Sequence, residues 1–136
     1  MAADPELFLE RWHRIVAERD VEALGEILCD DVSLGVPPYW PRIESAKIAQ
    51  HLLGIVIRTI EDFTYHREWW KGSELALEFT GHVGDLDLQG VDLISLDESG
   101  RVRSLDVAMR PLNAISALQK VIAPQMVEFL QERQSA

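Results

Sequence analysis

The chain has 136 residues, too few for two cores, so we predict one domain over residues 1–136. Its formal net charge of −10 argues against partners rich in phosphate, such as nucleic acids or anionic membranes, although an acidic surface also serves solubility alone. The apolar runs are too short to span a bilayer, residues 1–4 lack a secretory pattern, and the single Cys29 cannot form an internal disulfide. We therefore expect a cytoplasmic protein.

The first part of the chain predicts two helices and a short strand. Phe8 and Trp12 recur at helical spacing after an Asp-Pro start, so helix one is expected over residues 4–18. Helix two is expected to begin at residue 20 and to end at Asp30-Asp31, with a short strand over residues 32–36. The prolines of the following segment, residues 37–41, exclude a helix there and predict a stiff loop.

The second part predicts one long helix, a meander of strands and a last helix. Helix three is expected to follow Ser45, and its apolar stripe is too wide for a surface helix, which indicates a core position. From Phe63 the period changes to two, with turn signals at residues 71–73, 82–85 and 98–100. A helix over residues 113–132 should be broken or kinked by Pro124.

Asp92 is the residue that suggests chemistry, because it lies within an apolar strand. Strand alternation sends it the same way as Ile94 and Leu96, and in an apolar pocket its pKa should rise. A neutral acid can donate a hydrogen bond to a ligand carbonyl or move a proton. The alternative is a structural carboxylate satisfied by a neighbouring strand, a helix-three residue or water.

The aromatic residues outside the core have two interpretations. Tyr39 and Trp40 form either a lip over a pocket or a cap on the core or a dimer contact. Trp69 and Trp70 place one ring on each face of a strand, so one of them should point away from the core and offer a partner surface.

The four histidines show no metal-ligand spacing, so neither a metal nor a cofactor is expected. His13 falls on the charged face of helix one and is interpreted as solvated, whereas His51 lies at the edge of the helix-three stripe, where it can line a pocket. His66 and His82 lie on predicted strands.

Three stretches carry a family resemblance that extends over nearly the whole chain: Arg19-Asp-Val-Glu-Ala-Leu-Gly-Glu-Ile-Leu-Cys-Asp-Asp-Val-Ser33, Gly90-Val-Asp-Leu-Ile-Ser-Leu-Asp-Glu-Ser-Gly-Arg-Val102 and Val107-Ala-Met-Arg-Pro111. The sequence resembles the nuclear-transport-factor-2-like superfamily, and within it the SnoaL-like, polyketide-cyclase-type branch. The resemblance implies an α+β, cone-shaped fold. Three N-terminal helices would pack in the concave face of a curved, largely antiparallel sheet, followed by a C-terminal helix.

Within that superfamily, ketosteroid isomerase combines a carboxylate base with a tyrosine and a protonated carboxylic acid. The resemblance places Asp92 at the position of the protonated acid and Phe79 at a pocket phenylalanine. It places Trp12 at the tyrosine and Val36 at the base. Because valine cannot take up a proton, the resemblance implies that steroid isomerisation by this route is absent.

The sequence therefore predicts an internal pocket for a small apolar molecule, which the protein either only binds or also isomerises, cyclises or hydrolyses, with Asp92 as its catalytic or anchoring residue. The alternative is a non-enzymatic dimerisation or ligand-sensing module, and a homodimer is expected in either case. A second titratable group beside Asp92, such as His51, would favour an enzyme. The expected pocket residues are Trp12, Val36, Tyr39, Trp40, His51, Leu77, Phe79, Ile94, Leu105 and Val107.

Overall fold

A computed structural model describes residues 4–135 and confirms the predicted α+β architecture. Its elements in chain order are α1 (Pro5–Glu18), α2 (Val21–Glu26), β1 (Leu28–Gly35), α3 (Ala46–Thr59), β2 (Glu61–Lys71), β3 (Glu74–Val83), β4 (Leu86–Leu96), β5 (Val102–Arg110) and α4 (Leu112–Ser135). The sheet order is β1-β5-β4-β3-β2, in which β1 runs parallel to β5 and every other pair is antiparallel.

The helix starts follow the capping signals of the sequence. The Asp4 carboxylate accepts hydrogen bonds from the backbone N–H groups of the first turn of α1, and the Ser45 hydroxyl does the same for α3. As predicted, α3 lies in the core, with Ala49, Leu52 and Ile55 buried. The concave side of the sheet and the helices that pack on it enclose most of the buried apolar side chains.

The predicted boundary between helix two and the first strand was wrong. Helix α2 ends at Glu26, and Asp30-Asp31 lies inside β1 rather than at a helix end. Val102 N–H donates to the Ile27 carbonyl at 2.8 Å, and Leu28 pairs with Val102. This pairing with a distant strand overrides the helical spacing of the apolar residues, since local periodicity does not contain it.

A bulge in β2 interrupts the predicted alternation of its side chains between the two faces of the sheet. Tyr65 pairs with Phe79, but Glu68 pairs with Leu77, so three residue steps on β2 face two on β3. Residues directly opposite share a face. Tyr65 and Glu68 therefore both lie on the concave side, and Trp69, opposite Ala76, lies on the outer side.

Of the break or kink predicted at Pro124 in the last helix, the break does not occur, because α4 continues through Pro124 to Ser135 as one helix. None of the helices within residues 4–135 is long and apolar enough to cross a membrane. The prediction that the chain begins without a secretory pattern concerns in part residues 1–3, which lie outside the described residues.

Candidate functional site

A buried chain of polar side chains crosses the concave face of the sheet. The Trp12 indole N–H donates to the Tyr65 hydroxyl oxygen at 2.7 Å, and that hydroxyl donates to Asp92 Oδ2 at 2.8 Å. Trp12 and Asp92 are 4% and 5% exposed, so neither obtains its hydrogen bond from bulk water. The sequence-predicted Asp92 therefore lies in the apolar interior and is held by a tyrosine.

Strand register brings these groups together. Asp92 lies opposite Leu77 of β3 and Val107 of β5, and the next row of the sheet contains Phe79 opposite Gly90. A Cβ at Gly90 would collide with the Phe79 ring and lie 2.7 Å from the Ala108 carbonyl oxygen. The missing side chain at position 90 thus lets Phe79 lie flat on the sheet beside Asp92.

Burial sets the protonation of both acids. Loss of solvation raises the pKa of Asp92 to about 7, and the hydrogen bond from Tyr65 partly opposes this shift because it favours the carboxylate. The pKa of Tyr65 rises well above its ordinary value, first through burial and then through the nearby Asp92. At neutral pH Tyr65 is therefore a neutral donor, and Asp92 is the group that exchanges a proton.

An apolar cavity of about 40 Å³ borders Asp92, and we call it the Asp92 chamber. It has room for only a few water-sized atoms. Asp92 Oδ1 has no hydrogen-bond partner within residues 4–135. No side-chain oxygen or nitrogen in that part of the chain is both fully buried and without a partner, so Oδ1 keeps some exposure, and Asp92 lines this cavity. The other residues on its wall are almost all apolar, including Trp12, Phe63, Phe79 and Leu105.

A second apolar cavity of about 50 Å³ lies beneath α4, and we call it the α4 chamber. Residues of the loop after β1 and of α4 line it on one side, including Val36, Tyr39, Ile115 and Ile122. Leu53, Val56, Val107 and Met109 line both cavities. The two chambers therefore lie back to back across a thin wall of apolar side chains.

The structure brings six of the ten predicted pocket residues to these chambers. Trp12, Phe79 and Leu105 line the Asp92 chamber, Val36 and Tyr39 line the α4 chamber, and Val107 lines both.

The remaining four predicted pocket residues line neither chamber in the described part of the chain. His51 stacks on Phe129 of α4 with ring centroids 3.9 Å apart, which turns it away from Asp92. Trp40 is 94% exposed, beside an open surface hollow. Leu77 and Ile94 are fully buried in the packed core.

Sequence reasoning missed Tyr65 as a site residue. Its position on a strand with Phe63 was visible, but the register that places it opposite Phe79 and within reach of Asp92 was not. Tyr65 is a second titratable group beside Asp92, whereas the sequence suggested His51 for that position. Because its pKa is raised, it adds a hydrogen-bond donor to the chamber rather than a base.

His13 was expected to be solvated, and its side chain is 41% exposed. It also has contacts that the sequence did not predict: its Nε2 lies 2.6 Å from Glu68 Oε2, and its ring lies 5.3 Å from the Tyr65 ring. The β2 bulge turns Glu68 to the concave side, which creates this contact. His66 contacts the Thr80 hydroxyl, and His82 contacts Asp62. Over residues 4–135 no group of three His, Cys, Asp or Glu side chains is arranged to hold a metal ion.

Solved structures resemble this fold over almost its whole length. A steroid delta-isomerase from Pseudomonas aeruginosa is 30% identical, with a TM-score of 0.85 and coverage of 93% of each chain. An uncharacterised cystatin-like-fold protein from Silicibacter pomeroyi is 32% identical, with a TM-score of 0.86 and coverage of 93% of this chain and 92% of that one. An NTF2-like protein of unknown function from Cytophaga hutchinsonii shares the fold at 12% identity, with a TM-score of 0.64 and coverage of 82% and 94%.

The fold and the polar group in its concave face define a cone-shaped α+β protein of the cystatin-like type. The chain belongs to the nuclear-transport-factor-2-like superfamily, in agreement with its resemblance to the SnoaL-like branch. No protein-family model and no curated protein matches the sequence.

Proposed function

We propose that the protein binds a small, mainly apolar molecule that carries one carbonyl or hydroxyl oxygen, and that Asp92 contacts this oxygen. The open Oδ1 of Asp92 in an otherwise apolar chamber is the observation that supports this proposal. This oxygen has no hydrogen-bond partner within residues 4–135 and faces an apolar space, so a guest that supplies one hydrogen bond there is favoured.

The protonation of Asp92 sets the chemistry available to such a guest. With a pKa of about 7, the acid is largely neutral below that pH and then donates to a carbonyl oxygen. The Tyr65 hydroxyl fixes the other carboxyl oxygen at 2.8 Å, which orients the acid. In an isomerisation, cyclisation or hydrolysis, Asp92 is the group that would transfer the proton.

A matched pair of probes tests this function. The ketone 2-butanone and the alkene 2-methyl-1-butene have nearly the same shape and are small, but only the ketone has an oxygen. We expect 2-butanone to bind more tightly by about tenfold, the value of one well-made hydrogen bond. Proton–nitrogen NMR of the Trp12 indole, which borders the chamber through its bond to Tyr65, follows the titration.

The controls separate the chamber from the outer surface. Asp92→Leu should abolish the preference for 2-butanone, and Leu93→Ala, a neighbouring strand position on the outer side, should keep it. Equal affinities for the two probes in the unmodified protein would overturn the proposal.

One neighbour is a steroid delta-isomerase, but we propose a different reaction, or none, for this chain. Val36 lies in the wall of the α4 chamber and cannot abstract a proton. Loss of a general base costs on the order of 10² to 10⁴ in rate. We expect a β,γ-unsaturated ketosteroid to react no faster with the protein than without it, monitored by the ultraviolet absorbance of the conjugated product. Robust turnover would show that another group, Asp92 first of all, acts as the base.

The second candidate function is a non-enzymatic dimerisation or ligand-sensing module. The exposed Trp69 and Leu93 on the outer side of the sheet favour it. It agrees with a chamber that contains a single proton-exchanging acid, because binding requires no catalytic base. Binding of 2-butanone without any turnover of carbonyl substrates would support this candidate over an enzyme.

A further inference from the structure

The wall between the two chambers is apolar and contains an adaptable side chain. Leu53, Val56, Val107 and Met109 each border both cavities. Met109 is partly buried, and an unbranched thioether changes shape more readily than a β-branched side chain. Met109 is therefore the side chain of this wall that changes shape most readily.

Among residues 4–135, the polar side chains that line the two chambers form two groups, one in each chamber. Asp92 and Tyr65 lie in the Asp92 chamber, which we call the inner end, and in the α4 chamber, the outer end, Gln119 of α4 donates to the Tyr39 hydroxyl at 2.7 Å. Between these ends the walls consist of Leu, Ile, Val, Met and aromatic side chains. Tyr39 is 54% exposed, so the outer end is the one near solvent.

We propose that the ligand is elongated, with its oxygen at Asp92 and an unbranched apolar body that passes Met109 and ends in the α4 chamber beneath the Tyr39–Gln119 contact. This inference rests on the proposed function and adds the shape of the ligand. Neither chamber alone, at about 40 and 50 Å³, holds more than a fragment of such a molecule. A space that joins both chambers would favour longer ligands over shorter ones.

A series of methyl ketones tests the inference, from 2-butanone to 2-octanone. Each added methylene that enters the apolar space should tighten binding by about fourfold. The methyl signals of Ile115 and Ile122, which line only the α4 chamber, should shift on addition of 2-octanone and remain in place with 2-butanone.

Variants locate the apolar body of the ketone. Val36→Phe places a phenyl ring in the α4 chamber, where valine has only two methyl groups, and should flatten the rise of affinity with ketone length. If this variant fails to fold, Ile122→Phe fills the same chamber from α4. Leu112→Phe, at a 74% exposed position of α4, is the matched control and should keep the rise.

The outcomes separate the two proposals. If 2-butanone binds through Asp92 but longer ketones bind no tighter, or leave the Ile115 and Ile122 signals unmoved, the elongated ligand is excluded and the proposed function remains. If 2-butanone shows no preference over 2-methyl-1-butene and none of the longer ketones binds, both proposals fall.

Discussion

Asp92 is a carboxyl group placed where water cannot solvate its charge. Its pKa of about 7 in the folded protein, against an ordinary 3.8, means that the folded state holds a proton that the unfolded state has lost between these values. The free energy of unfolding is therefore highest when Asp92 is protonated in both states, and it falls as pH rises through this window. The loss approaches about 4 kcal/mol, since one pKa unit corresponds to about 1.4 kcal/mol.

We predict that Asp92→Asn removes this loss. Asparagine keeps the shape and can still accept the Tyr65 hydrogen bond, but it has no charge to bury. Relative to the unmodified protein, the variant should gain stability progressively from about pH 4 to about pH 7. Urea unfolding of both proteins across this range measures the difference, and parallel pH profiles would contradict the prediction.

Direct titration by carboxyl-carbon NMR gives a second test at the same residue. Removal of the Tyr65 hydroxyl in Tyr65→Phe takes away the hydrogen bond that favours the ionised form, so the Asp92 pKa should rise further. A pKa near 4 for Asp92 in the unmodified protein would remove the only acid–base group proposed for the chamber.

At the level of single elements, local signals predicted the helix starts and the hairpins. Asp4 and Ser45 cap α1 and α3 as expected, and the turn signals separate β2, β3, β4 and β5. The boundary of α2 and the bulge of β2 were not predictable, because both depend on pairing with strands distant in sequence.

The difference between local signals and distant pairing also explains which residues of the candidate site were predicted. Asp92 was found because strand alternation is local and placed it with Ile94 and Leu96. Tyr65, and the His13–Glu68 contact, were missed because they require the register of β2 against β3 and the approach of α1. Trp12 lines the Asp92 chamber, but its role differs from the tyrosine position implied by the resemblance, since its indole donates to Tyr65, which in turn donates to Asp92.

Strands β3 and β4 come into close contact where Phe79 covers Gly90. Gly90→Ala would push its Cβ into the Phe79 ring and toward the Ala108 carbonyl, so it should lower the free energy of unfolding by about 1–3 kcal/mol. Chemical denaturation measures this change.

Gly72→Asn is the matched control, since this turn glycine has a φ of 59° and no atom near its missing Cβ. Asparagine tolerates that conformation, so the control should cost less than Gly90→Ala. An unchanged stability of Gly90→Ala would mean that Phe79 has room to move away.

At the scale of the whole molecule, the sheet has an outer side that the helices leave uncovered. Trp69, Ala76 and Leu93 lie there around an open hollow, and we call them the outer patch. The Trp69 and Leu93 side chains are 54% and 49% exposed. Beside the patch, Arg67 forms an ion pair with Glu78 at 2.7 Å, and Gln89 also donates to this carboxylate. An apolar centre with a satisfied polar border is the arrangement of a protein interface.

We predict that the outer patch joins two copies of this chain. A two-fold dimer brings the same patch of both copies together, so it needs only one surface that is complementary to itself. Analytical ultracentrifugation at micromolar concentration should show a species of twice the chain mass. Leu93→Glu places a charge at the centre of the contact and should weaken the dimer by roughly tenfold or more. Leu112→Glu adds the same charge at an exposed leucine of α4 and should leave it intact. A monomer in the unmodified protein would refute the dimer, and equal dissociation of both variants would move the interface away from the sheet.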